Sequence, residues 1–133
     1  MEPKEQTKID NPHVITCTAD EITLADFITL VHLNAVAHGF WEDGPRRNSG
    51  EQIALIHSEL SEALEAMRNG DPPDEHCPQF GNVVIELADA VIRICDMTEG
   101  SATNLVKGTF LGAALIAKHN ANCLRPHKHG KEF

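Results

Sequence analysis

An all-α, four-helix bundle-like domain is what this sequence predicts, on three observations. Prolines fall at positions 3, 12, 45, 72, 73, 78 and 126, which leaves 46–71 and 79–125 free of helix breakers. Both free stretches carry apolar residues at helical spacing. β-Branched alternation is scarce and Tyr is absent, so strands find little support.

The first helix is expected from Asp20 to His38, with Thr18 and Glu21 as a capping box and Gly39 as its stop. Its apolar stripe is Ile22, Leu24, Phe27, Ile28, Val31, Ala35 and Val36. The second should start after Ser49, which has Gln52 three residues on, and end at Gly70. Ile53, Ile56, Leu60, Ala63, Leu64 and Met67 form its stripe. Asp71-Pro72-Pro73-Asp74 then forces a loop. A third helix spans Asn82 to Thr98 and stops at Gly100, with Val84, Leu87, Val91, Ile94 and Cys95 inside. Ser101 can cap a fourth reaching Asn120, with Leu105, Leu111, Ala114, Leu115 and Ala117 inside. Gly108 and Gly112, four apart, read as a point of close helix–helix approach. Residues 1–19 read as a polar N-terminal arm. Residues 20–133 form one helical domain ending in a basic tail.

Composition narrows the function classes. A chain of 133 residues has room for one domain and a real core. Twenty acids against eleven bases give a formal charge of −9, with eight histidines besides. That balance argues against polymeric nucleic acid as a partner, because such binding needs a Lys/Arg footprint. No apolar run approaches the length of about 20 residues that a membrane span requires, and Met1 to Asp10 contains no secretory h-region. Cys17, Cys77, Cys95 and Cys123 form no C-x-x-C pair, so zinc ribbons and thioredoxin-type motifs are excluded. Free thiols and a cytoplasmic location are expected.

The chemistry concentrates on the second and third helices. Glu59 and Glu62 stand at i and i+3, so their side chains share one face, and Glu86 and Asp89 repeat the spacing. Both pairs border apolar stripes. Two antiparallel helices packed along those stripes would bring four carboxylates together, which requires raised pKa values or a compensating cation. An all-oxygen cluster suits Mg²⁺ or Mn²⁺ rather than zinc. Basic partners are few, Arg68 and Arg93 being the only ones on the two helices. Asp96, one heptad after Asp89, lies on the same stripe and could serve a second ion.

Glu59-x-x-Glu62, 23 intervening residues and Glu86-x-x-Asp89 resemble the signature of the MazG-like, all-α nucleoside triphosphate pyrophosphohydrolases. The flanking words are similar too: Gly39-Phe40-Trp41-Glu42, the run Leu55 to Glu65, and Glu86 to Arg93. The segments Lys118 to Asn122, Arg125-Pro126 and His129-Gly130-Lys131 resemble the C-terminal element of single-domain members. Ala121 stands where the family tail often has an aromatic, and His129-Gly130-Lys131 is one glycine short of the usual run.

The resemblance implies cleavage of a nucleoside triphosphate, usually a deoxynucleotide, to the monophosphate and pyrophosphate. It implies Mg²⁺ on Glu59, Glu62, Glu86 and Asp89; the chemistry of the residues adds that one carboxylate, Glu59 or Glu62, can orient or deprotonate water. Substrate contacts would come from Trp41, Asp96, Lys118, Asn122, Arg125, His129 and Lys131. With no Tyr, base stacking falls to Phe40, Trp41, Phe80 or another Phe. The fold implied is a MazG-type bundle that assembles as a homodimer or homotetramer with shared active sites.

Other classes fit less well. His57-Ser58-Glu59 matches the H-x-E of zinc deaminases, but the P-C-x-x-C partner is missing. No P-loop and no nucleophile elbow is present. A ferritin-like di-metal oxidase wants E-x-x-H pairs. A non-catalytic helical module binding nucleotide or protein is the alternative that stands.

Overall fold

A computed structural model describes residues 17, 18, 20–42, 47–100 and 111–130, and of His129 the backbone alone. Its elements are α1 (Leu24–Ala37), α2 (Ser49–Arg68), α3 (Asn82–Gly100), α4 (Leu111–Cys123) and a 3-10 turn at His127–Gly130. Among the described residues there is no strand, only an isolated bridge between Pro73 and Gly81. The all-α expectation holds. Most of the N-terminal arm, Ser101, Leu105, Gly108 and Lys131 lie outside the described residues.

Helix starts are set by caps that differ from those expected. α1 begins at Leu24 because Thr23, in extended conformation, accepts from the Asp26 backbone N–H and donates its hydroxyl to the Asp26 carboxylate. Thr18 and Glu21 do pair, hydroxyl to carboxylate at 2.9 Å, but they close a turn ahead of the helix. Asn48, rather than Ser49, caps α2, its Oδ1 accepting from the Glu51 N–H at 3.1 Å. At the far end of α1, Gly39 takes a φ of +83°, the left-handed geometry that ends a helix cheaply only in glycine.

The loop from α2 to α3 is fastened at several points. Asp71 Oδ1 accepts from the Val83 N–H at 2.8 Å, satisfying one of the donors that a helix start leaves unpaired. Asp74 Oδ1 accepts from the backbone N–H groups of His76 and Cys77, and Asn82 N–H donates to the Pro72 carbonyl. This clamp returns the chain so that α3 packs along α2. α1 lies on α3 from another side, and α4 makes only slight contact with α3.

The buried seam matches the expected apolar stripes only in part: Ile28 on α1, Ala63 on α2 and Cys95 on α3 are buried as expected, and Ile56 and Ile94 are half-buried. On α2 the buried residues are Gln52, Glu59, Ala63 and Ala66. Of the expected stripe, Ala63 is among these and Ile56 is half-buried, whereas Ile53, Leu60, Leu64 and Met67 are 46–61% exposed. On α3, Val84, Leu87 and Val91 face outward, whereas Ala90, Cys95 and Met97 are buried. Ala114, Leu115 and Ala117, expected inside, are exposed on α4, while Leu111 is half-buried. Gly112 sits opposite Leu24 at ordinary contact distance. The described core is therefore made mainly of small side chains, with Ile28, Trp41 and Met97 as its larger members.

Candidate metal centre and adjoining cavity

Glu86, Asp89, Arg93 and Asp96 follow one another at three- and four-residue steps, so one stripe of α3 is polar along its length. It meets the α2 stripe that holds Gln52 and Glu59. Glu59 contacts Arg93 while Glu62, further along α2, reaches back to Glu86, a pairing that runs the two helices antiparallel.

Carboxylate oxygens of Glu59, Glu62 and Glu86 all lie within 4.8 Å of one another. Glu59 is buried at 6% exposure, Glu86 is half-buried and Glu62 is exposed. Asp89, one turn beyond Glu86, is half-buried and faces the same charges without joining the three-oxygen set. Loss of hydration pushes the Glu86 carboxyl above its ordinary value, and the neighbouring Glu62, Glu59 and Asp89 charges push it further. The Asp89 carboxyl is raised too, by lost hydration and then by Glu59, with Arg93 opposing. Both shifts are what acids stripped of hydration, and then crowded by like charges, produce.

One compensating group is present. Arg93 Nε donates to Glu59 Oε1 at 2.5 Å. Sparse basic residues on the two helices pointed away from such a pair, yet Arg93 reaches across the seam to make it. Among the described residues it is the cluster's one ion pair, leaving three carboxylates without a cation.

A cavity of about 320 Å³ opens beside the cluster between α1, α2 and α3. Asn34, Arg47, Gln52, Glu59, Asp89, Arg93 and Asp96 supply its polar wall. Asp96 is already engaged: its Oδ1 accepts from Trp41 Nε1 and pairs with His32 Nδ1, both at 2.8 Å, and its Oδ2 accepts from Arg47 at 3.4 Å. Three partners leave this carboxylate little capacity for a second ion. Trp41 is buried, edge-on to His32 and covered by the Arg47 guanidinium 5.0 Å from its centroid, and it does not line the cavity. Phe40, its neighbour, does. Gly100 permits this arrangement, since a Cβ there would fall within the Trp41 ring edge and against His32.

The tail is elsewhere. Lys118 and Arg125 are exposed, Asn122 is half-buried with an unpartnered Oδ1, and none of them lines the cavity. His129 lies in the 3-10 turn. Arg47, Gln52 and His32 were not singled out as site residues from sequence. For Gln52 a signal existed, because it precedes Glu59 by one heptad and so shares its face.

All four cysteines are free thiols, and among the described residues no helix is long and apolar enough to cross a membrane. Comparison with protein-family models, curated proteins and solved structures finds no match to this chain.

Proposed function

We propose that the protein hydrolyses a nucleoside triphosphate, by preference a deoxynucleotide, to its monophosphate and pyrophosphate with Mg²⁺, in the manner of the MazG-like enzymes its motifs resemble. One observation carries the reading: carboxylates from two antiparallel helices converge within 4.8 Å beside a cavity, with more negative charge than Arg93 offsets. The donor set fits the ion. Mg²⁺ takes oxygen ligands, and carboxylate oxygens are what this site offers. Mn²⁺ is the expected substitute.

Glu59, Glu62 and Glu86 would hold the ion, with Asp89, one turn beyond Glu86, as a fourth candidate ligand. When bound, it neutralises phosphate charge and makes water a competent nucleophile at neutral pH. Glu62 orients or deprotonates that water, since Glu59 is occupied by Arg93 and Glu62 is exposed. Arg47 and Arg93 face the cavity and offer donors to phosphate oxygens.

A second copy of the chain belongs to the active form. The outward stripes of α2 and α3 leave Leu60, Leu64, Val84 and Val91 about half exposed, apolar surface of the kind an interface covers. A homodimer or homotetramer covers them, and Lys118, Asn122 and Arg125 contact substrate from the neighbouring subunit's tail.

The test is a panel of dNTPs and NTPs with Mg²⁺, resolving monophosphate plus pyrophosphate from diphosphate plus phosphate. Pyrophosphate release from at least one substrate, lost in Glu62→Ala and in Asp89→Ala, supports the proposal. The Arg93–Glu59 pair favours a second reading, a non-catalytic nucleotide- or protein-binding module in which the acids are structural. Intact substrates across the whole panel would select that reading.

A further inference from the structure

We propose that Gln52 is the residue that reads the base: its side-chain Oε1 accepts a hydrogen bond from an N–H on the nucleobase edge. This rests on the nucleotide reading above. Gln52 is 6% exposed and lines the cavity, and its Oε1 is buried with no hydrogen-bond partner. An unpaired buried acceptor destabilises the chain that carries it, so its persistence points to a partner supplied from outside. An acceptor calls for a donor, and an N–H on a base edge is one.

The surroundings match that partner. Gln52 and Glu59 are seven residues apart on one face of α2, about 10 Å along the helix axis. A nucleoside can span that interval, placing its base edge at Gln52 and its 5′ phosphates towards the acids. Phe40, 64% exposed, lines the same cavity and offers a ring face, with Leu55 and Ile92 as apolar walls. Trp41 is buried beneath Arg47 and does not line the cavity, so Phe40 is the aromatic ring the cavity presents.

Binding of the four 2′-deoxynucleoside 5′-monophosphates is measured by calorimetry in Mg²⁺, alongside analogues whose purine or 2-pyrimidinone base has no edge donor. In the unmodified protein at least one natural nucleotide should bind about tenfold or more tighter than its donor-less analogue. Gln52→Leu should bring that ratio to about one while its thermal midpoint stays level or rises, because the orphaned acceptor is gone. Gln52→Met serves the same purpose if the leucine packs poorly. A ratio near one in the unmodified protein, a ratio that survives substitution, or no nucleotide binding at all overturns the assignment. Base-selective binding without pyrophosphate release would sink the hydrolase reading alone. Hydrolysis whose base preference ignores Gln52 would sink this assignment alone.

Discussion

Glu86 and Asp89 show at single-residue scale what crowding does to acids. Their carboxyls sit above the ordinary range chiefly because each has lost hydration, and then because neighbouring carboxylates oppose ionisation. A folded-state pKa above the unfolded value means the folded chain holds protons more tightly than the unfolded one. The destabilising contribution is therefore absent below the ordinary carboxylate value, grows as pH rises through the raised one, and is complete beyond it. Thermal melts in chelator, from about pH 4 to pH 7, should show Glu86→Gln gaining stability relative to the unmodified protein as pH increases. Saturating Mg²⁺ should narrow that gap, since the ion stabilises the ionised form. Parallel pH profiles for the two proteins in chelator would refute the account of Glu86.

At the scale of elements, the stability of the arrangement turns on how α1 and the segment after it are tied to α3. Asp96 is the common acceptor: His32 comes from α1, Trp41 and Arg47 from the connection to α2. Thr29 of α1 adds a 3.3 Å bond to Glu99. Asp96→Ala strands the buried indole N–H and frees Arg47 from the cavity wall. We expect a loss of about 2–3 kcal/mol in denaturant-induced unfolding, with Asp96→Asn retaining part of it by keeping an acceptor. An alanine variant within experimental error of the unmodified protein would show that the other α1–α3 contacts suffice.

For the whole molecule the question is what covers the apolar stripes. Leu60 and Leu64 lie on the outer face of α2 at 46% and 47% exposure, the neighbouring outer stripe of α3 is of the same character, and the described interior has few large side chains. If a second copy seals this surface, Leu64→Asp should lower the mass measured by light scattering from that of a dimer or tetramer towards that of one chain. Thermal stability should fall with it and become dependent on protein concentration in the unmodified protein alone. A monomeric mass for the unmodified protein would remove the assembly from the proposal while leaving the acid cluster untouched.

The helices were legible in sequence because proline-free length and periodicity are local properties. Glu59, Glu62 and Glu86 were legible as a convergent set because i,i+3 spacing beside an apolar stripe fixes a face. Which stripe turns inward was not legible. Of the expected α2 stripe Ala63 turns inward, whereas Ile53, Leu60, Leu64 and Met67 each lie one residue beyond a buried position. Hydrophobicity alone turns the large side chains inward, whereas close packing of α2 on α3 uses Ala63 and Ala66 and leaves the large ones outward. Arg93 on Glu59, the three partners of Asp96 and the orphaned amide of Gln52 likewise depend on residues brought together from distant positions. Sequence determined the elements and the supply of acids, because both follow from chemistry within a few residues. Tertiary structure decided their partners, because contact across a helix seam depends on which faces meet.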